Sequence, residues 1–190
     1  MTRIDYPNLD ALSDATKTLM EGRPLINVFK MWAHSEALLP LVAQQGATQF
    51  VALELSSRHR ELLVLALAHA LDAPYVWNQH VAISEACGIT AHEREAIRLG
   101  ANWRLGDVPF SDQDHAMLGF ARGVVAGGAV SDTVFAVVAD QFSRREIVEA
   151  LSVLGYYFSI ARMTTVLNID SDEPGNASVL DAGIELAGGR

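Results

Sequence analysis

Apolar residues recur in long, nearly continuous stretches of the sequence, separated by capping and breaking residues. Two such stretches, Leu62–Ala68 and Tyr75–Cys87, flank the break Asp72-Ala73-Pro74. The residue before a proline is steered away from α-helical geometry, so we expect two helices joined by a tight turn. Gly88 follows as a left-handed helix stop. The pattern predicts an antiparallel helix hairpin over about residues 57–87.

Capping signals predict further helices after this hairpin. Thr90 with Glu93, and Ser143 with Glu146, have the spacing of capping boxes. The second of them opens the longest predicted helix, over about residues 143–167. Strict alternation of apolar and polar residues, the pattern typical of strands, is nearly absent. The fold class is therefore predicted to be all-α.

The N-terminal part of the chain is also predicted to be helical. The segments Leu25–Ser35 and Glu36–Gln45 favour helices, the second ending before Gly46. No linker or low-complexity tract divides the chain, which predicts one domain over residues 1–190. The segment 170–190, with its proline and late glycines, is expected to be an arm or flexible tail.

The charge of the chain excludes several classes of partner. Lys and Arg number 14 against 23 Asp and Glu, a net charge of −9. A field of this sign repels phosphate backbones and anionic lipids, so we expect no nucleic-acid partner and no membrane partner. The longest apolar run is much shorter than the roughly 20 residues that span a bilayer. No signal-peptide pattern opens the sequence, and a cytoplasmic protein is expected.

Self-association is expected from the amount of apolar surface. Hydrophobic residues make up 50% of the chain. The aromatic residues Trp32, Trp103 and Phe110 lie where the pattern predicts exposure. Burying such surface against copies of the same chain predicts a homo-oligomer.

Cysteine and histidine positions limit the available chemistry. Cys87 is the only cysteine, so a disulfide within the chain, a Cys-rich zinc site and a Cys-x-x-Cys pair are excluded. Asp112, Asp114 and His115 together are better explained as an acidic helix N-terminus than as metal ligands. We expect no metal and no cofactor. Four further histidines lie in polar surroundings and are expected at the surface: His34, His59, His92 and His115.

One acid and one histidine of the hairpin are predicted to meet. At about 1.5 Å per residue, Glu61 and His80 lie roughly 10 and 8 Å from the turn. Inside an apolar hairpin such a pair is a candidate proton relay. Spacing alone leaves a second interpretation open. Glu61 then completes a cap or pairs with Arg58 or Arg60, and His80 is a core histidine bonded to a backbone carbonyl.

Residues 58–88 carry a recognisable combination of features in a fixed order: Arg60-Glu61, an apolar helix, Tyr75-x-Trp77-x-x-His80 and Gly88-Ile89-Thr90. This combination closely resembles the signature of the carboxymuconolactone decarboxylase-like superfamily, which includes the alkylhydroperoxidase D-like proteins. The stretch 142–157 is similar to the family's C-terminal helix. Together the similarity covers about residues 25–170. It implies an all-helical subunit that assembles into trimers or hexamers, with a dimer as the alternative.

The resemblance separates two branches of chemistry. The peroxidatic branch uses a Glu, a Cys-x-x-Cys pair and a His, and by position Glu61 and His80 match the Glu and the His. The two cysteine positions hold Ala73 and Val76, so no dithiol is available to reduce a peroxide. Cys87 is the remaining candidate thiol. Its alternative interpretation is a small buried apolar residue before the helix stop.

The decarboxylase branch is therefore favoured. The resemblance implies cofactor-free loss of CO2 from a small cyclic or unsaturated carboxylic acid, followed by protonation of the resulting carbanion. His80 is the predicted proton donor and Glu61 orients it. Tyr75 and Trp77 are predicted to line the substrate pocket, and Arg60 is a candidate ligand for a substrate carboxylate.

Two other functions remain as alternatives. One is an alkylhydroperoxidase-like antioxidant protein, disfavoured by the missing cysteine pair. The other is a non-catalytic oligomeric protein that binds a ligand and has kept the fold.

Overall fold

The computed structural model describes residues 1–21, 26–99 and 110–172. The described residues form helices and no strands, which confirms the predicted all-α class. The chain falls into two compact units. The first comprises Met1–Ala52 and the described part of Arg162–Arg190, and the second is Leu53–Ala161. Trp103 and most of the predicted tail lie outside the described residues.

The first unit contains a 3-10 turn and three short helices: Leu9–Ala11, then α1 (Asp14–Met20), α2 (Asn27–Trp32) and α3 (Leu39–Val51). The carboxylate of Glu36 accepts hydrogen bonds from the hydroxyls of Ser13 and Thr16, which holds the start of α1. The predicted end before Gly46 is wrong, because α3 continues through this residue and buries it. A glycine ends a helix when it takes a left-handed conformation, and Gly46 is not among the positive-φ residues.

The ends of the described chain are tied into the first unit. The amino group of Met1 lies 3.3 Å from a carboxylate oxygen of Asp170. The backbone N–H of Asn27 donates to Oδ1 of Asp172 at 2.7 Å. Residues 170–172, the start of the predicted tail, are thus bound to other parts of this unit.

The second unit begins with a helix hairpin and ends in the longest helix: α4 (Ser57–Ala70), α5 (Pro74–Ala86), α6 (Ala91–Arg98), α7 (Asp112–Gly127), α8 (Asp132–Gln141) and α9 (Arg144–Val166), whose last residues belong to the first unit. The helix α4 is central, because it packs against α5, α6 and α7. Its nearly continuous apolar sequence fits this position, since Leu62, Leu63, Val64 and Leu65 are all fully buried.

The predicted hairpin of α4 and α5 is present. Asp72 takes a positive φ of 49° in the turn, and the N–H of Ala73 donates to the carbonyl of Ala68 at 2.9 Å. Gly88 has a φ of 80° and follows α5 as the predicted stop. The capping boxes predicted at Thr90 and Ser143 both form, with reciprocal bonds to the glutamates three residues later. Local sequence therefore sets where these helices start and end.

One expectation about exposed aromatics is wrong. Phe110 is 8% exposed and packs in a core cluster with Leu62, Leu65 and neighbouring apolar residues. Trp32 is half-buried. The predicted homo-oligomer therefore loses these residues as support and stays a prediction. Within the described part of the chain, no helix combines the length and apolarity needed to cross a bilayer.

Candidate active site

The hairpin brings an acid and a histidine together in its interior. Glu61 lies in the second turn of α4, and His80 lies in the middle of α5. The Oε2 atom of Glu61 is 2.6 Å from Nδ1 of His80. The side chains are 0% and 3% exposed, respectively. The contact predicted from spacing is therefore present, direct and shielded from bulk solvent.

Arg60 binds the other oxygen of the same carboxylate. Its Nε–H donates to Oε1 of Glu61 at 2.8 Å, and the arginine side chain is itself buried. Each carboxylate oxygen thus has its own donor, one from α4 and one from α5. Pairing with Arg60 was the second interpretation of Glu61, and the structure combines it with the histidine contact. The predicted role of Arg60 as a ligand for substrate stays a prediction.

The electrostatics of the site keep Glu61 ionised. Burial opposes its charge, but His80 and then Arg60 more than offset this, and the pKa of Glu61 is lowered. An ionised carboxylate can only accept hydrogen bonds, so Nδ1 of His80 carries the hydrogen. The Nε2 atom is then the ring nitrogen that does not bond Glu61.

A tyrosine from α9 completes the surroundings of His80. The ring centroid of Tyr157 lies 4.8 Å from that of His80, with the planes at 88°, an edge-to-face contact. Burial, and then the charge of Glu61, raise the pKa of Tyr157 well above its ordinary value, so the phenol is neutral. Sequence reasoning did not assign Tyr157 to the site. The aromatic pair Tyr156-Tyr157 was visible, but nothing in the sequence indicated which helix its members face.

The other predicted residues lie at varying positions around the pair. Tyr75 is buried at the start of α5. Trp77 is half-buried and packs on the core cluster that contains Leu62 and Leu65, and the guanidinium of Arg98 lies 5.8 Å from its ring centroid. The predicted pocket-lining roles of Tyr75 and Trp77 stay predictions.

Cys87 lies at the far end of the hairpin, just after α5. Its half-buried thiol is hydrogen-bonded with the side chain of Ser57 at the start of α4. Burial raises the pKa of Cys87, and the Ser57 contact does not offset this. The thiol is therefore protonated at neutral pH, and a protonated thiol is a poor nucleophile. Ala73 and Val76, at the two positions matched to cysteines, are both buried.

A polar cluster beside the site was missed from the sequence. Arg58 donates to the carboxylates of Glu93 and Asp114, which are members of the capping boxes of α6 and α7, and to the carbonyl of Gly88. This one side chain thus joins the N-terminal ends of α4, α6 and α7. Burial opposes the charge of both acids, but their hydrogen bonds prevail and the pKa values of Glu93 and Asp114 are lowered. Arg58 is therefore a structural cross-link three positions before Glu61 in the chain.

The surface placement expected for His59 is wrong. The residue is 9% exposed. Its Nδ1 lies 2.9 Å from Oγ of Ser56, its Nε2 lies 3.5 Å from Asp114, and its ring packs edge-to-face on Phe142. The polar neighbours of His59 in the sequence concealed this, because Asp114 and Phe142 come from two other segments. Among the described residues no group of three or more His, Cys, Asp and Glu is arranged to hold a metal ion.

Known structures share this architecture. A peroxidase-related protein from Silicibacter sp. TM1040 has 20% sequence identity and a TM-score of 0.76, with 90% of this chain and 92% of that one covered. The alkylhydroperoxidase AhpD core of a peroxidase-related protein from Ralstonia eutropha JMP134 has 20% identity and a TM-score of 0.75, with 90% and 93% covered. The chain has the alkylhydroperoxidase D-like fold.

The same fold is found in a protein with a known small-molecule ligand. The debrominase Bmp8, in a cysteine-to-alanine variant bound to 2,3,4-tribromopyrrole, has 12% identity and a TM-score of 0.70, with 90% of this chain and 94% of that one covered. No protein-family model and no curated protein matches the sequence. Identities at this level show a shared alkylhydroperoxidase D-like fold, and function has to be argued from the site.

Proposed function

We propose that the protein is a cofactor-free enzyme that decarboxylates a small cyclic or unsaturated carboxylic acid, with His80 as the proton donor. The observation that supports this most is the buried hydrogen bond of 2.6 Å between His80 and Glu61. A histidine oriented by a carboxylate is a general acid whose tautomer is defined, and the reaction needs one such acid.

The proposed reaction consumes one proton and releases one CO2. The bond between the carboxylate carbon and its neighbour breaks, and its electron pair enters the adjacent unsaturated system. The imidazolium form of His80 transfers its Nε2 proton to the carbanionic carbon. His80 is left neutral with hydrogen on Nδ1, still donating to Glu61, and regains its Nε2 proton from a water molecule that enters once the product has left.

Arg60 has a defined part in this cycle. Its charge is permanent, so Glu61 has a counter-charge even while His80 is neutral. The carboxylate therefore stays ionised and keeps its hold on Nδ1 throughout the reaction. Burial of the pair also excludes bulk water from the imidazole, which strengthens the electrostatic interactions within the site.

Thiol-dependent peroxide reduction is the less favoured alternative. It needs an ionised thiol and a way to reduce it again, and burial raises the pKa of Cys87. The positions matched to the cysteine pair hold apolar residues.

The test is a panel of small unsaturated and cyclic carboxylic acids, selected by thermal shift and assayed for CO2 release. We compare His80→Gln with the matched control His69→Gln, an exposed histidine on α4. His80→Gln should lower kcat by at least about 100-fold, the range for loss of a general acid, and the control should not. In heavy water the product should carry deuterium at the former carboxylate position.

Two results would count against the proposal. Parental turnover by His80→Gln would remove His80 from the chemistry. Tight binding of an acid without CO2 release would favour a ligand-binding protein that has kept the fold.

A further inference from the structure

The hydrogen bond with Glu61 does not by itself define the orientation of His80. It holds Nδ1 at 2.6 Å from Oε2, and this one contact has to resist rotation of the ring about its Cβ–Cγ bond. Such a rotation opens the bond between Nδ1 and Glu61 and moves Nε2 at the same time. A second contact with the ring is needed to hold its plane and so the direction of the Nε2 proton.

Tyr157 supplies a contact of this kind. Its ring meets the imidazole at 4.8 Å with an interplanar angle of 88°. Edge-to-face packing of aromatic rings has a preferred geometry, so it restrains the plane of the partner ring. The ring of Tyr156 packs on Tyr157 at 5.1 Å and 86°, which limits the movement of Tyr157 itself.

The chemistry of Tyr157 suits this position. The side chain is buried next to the ionised Glu61, where a second negative charge would be unfavourable, and it remains a neutral phenol. A neutral ring does not compete with Glu61 for the proton on Nδ1. The contact is made by the ring, so the hydroxyl is not required for it.

We propose that Tyr157 is a positioning residue that fixes the plane of the His80 imidazole and so the direction of its Nε2 proton. Its effect on catalysis rests on the decarboxylase function proposed above. Its effect on the imidazole does not, and it can be measured without substrate.

The experiment uses the full chain labelled with ¹⁵N-histidine and follows the Nδ1 proton of His80 by NMR. Tyr157→Phe keeps the ring, and Tyr157→Met keeps much of the volume but no ring. Phe158→Met is the matched control, because Phe158 is an exposed aromatic residue one position along α9. We expect a parental Nδ1–H tautomer and exchange rate for Tyr157→Phe and for the control. Tyr157→Met should exchange about 2- to 10-fold faster, the factor that corresponds to one aromatic contact.

A kinetic measurement gives the second readout. With any acid that the parent decarboxylates, Tyr157→Met should lower kcat by about 2- to 10-fold with KM unchanged. Tyr157→Phe should have the parental kcat. Parental exchange in Tyr157→Met would overturn the inference, and so would faster exchange in Tyr157→Phe. If Tyr157→Met does not fold, the Tyr157→Phe variant still carries the test. Faster exchange or a lower kcat in Tyr157→Phe would mean that the hydroxyl is needed, which contradicts positioning by the ring.

The two proposals fail in distinguishable ways. Faster exchange confined to Tyr157→Met, with no acid decarboxylated by the parent, supports the positioning role and refutes the enzymatic function. Decarboxylation by the parent, with parental exchange in Tyr157→Met, refutes the positioning role alone.

Discussion

Replacing Glu61 by glutamine tests the site through the hydrogen-bonding capacity of one side chain. The carboxylate accepts from Arg60 Nε at 2.8 Å and from His80 Nδ1 at 2.6 Å. Glutamine has one acceptor oxygen and one donor NH2 group, whereas both partners are donors to the native carboxylate. As long as both partners donate, the Glu61→Gln side chain can therefore accept a hydrogen bond from only one of them. Either its NH2 group faces the donor of Arg60, or His80 changes tautomer so that Nδ1 accepts.

The expected cost follows from the burial of the pair. Glu61 is fully buried, and its replacement takes away the negative charge that it places beside the buried guanidinium of Arg60. Breaking a buried ion pair on one side costs about 3–5 kcal/mol. For a chain of this size, that corresponds to a fall in Tm of roughly 6–20 °C. The cost is large against typical total stabilities of about 5–15 kcal/mol.

The assay is thermal unfolding at neutral pH, followed by circular dichroism. Glu85→Gln is the matched control, since this glutamate is an exposed residue of α5 and the same charge is removed. The control should stay within about 0.5 kcal/mol of the parent. The pKa of Glu61 is lowered in the fold, so its contribution is complete above the ordinary value of about 4.3 and is lost as pH falls through the lowered value. The difference in stability between the parent and Glu61→Gln should therefore become smaller as the pH is lowered into the acid range. Equal melting of the two variants at neutral pH would refute the reasoning.

Two further predictions concern residues around the site. Arg58→Met should destabilise the protein by about 3 kcal/mol, because it leaves two buried carboxylates without their arginine. The pKa values of Glu93 and Asp114 are lowered in the fold, so their ionised carboxylates stabilise it fully above about pH 4. This stabilisation is lost as pH falls through the lowered pKa values. Denaturant titrations at several pH values should therefore show a weaker acid dependence in Arg58→Met, and an unchanged one would contradict the cross-link. Cys87→Ser should leave any peroxide consumption unchanged, since burial keeps the thiol protonated; a loss of peroxide consumption in this variant would restore the peroxidase alternative.

Features encoded over a few consecutive residues could be predicted from the sequence. The capping boxes at Thr90 and Ser143 and the stop at Gly88 form as expected, because each is satisfied within one turn of its own helix. The meeting of Glu61 and His80 was one of two interpretations that the spacing allowed, because a tight turn places the two residues at similar heights in the hairpin. The same local argument was wrong at Gly46, where α3 continues. A glycine permits a left-handed conformation but does not require one.

Features that depend on distant segments could not be predicted in this way. His59 and Phe110 are buried although the sequence predicted that they are exposed, because the rings and apolar side chains that cover them come from other helices. Arg58 joins acids that lie 35 and 56 positions further along the chain. Sequence periodicity describes one face of one helix, and it does not state which other helix covers that face.

The sequence by itself determined the helical class and most helix ends in the second unit, because short-range geometry is sufficient for each. It allowed the pairing of Glu61 with His80 as one of two interpretations. Only the tertiary structure decided that Arg60 occupies the second oxygen of the carboxylate and that Tyr157 packs on the imidazole. The physical reason is that the charge state of Glu61 and the orientation of His80 depend on the packing of three helices, and hydrophobic burial drives that packing without a local signal for its exact register.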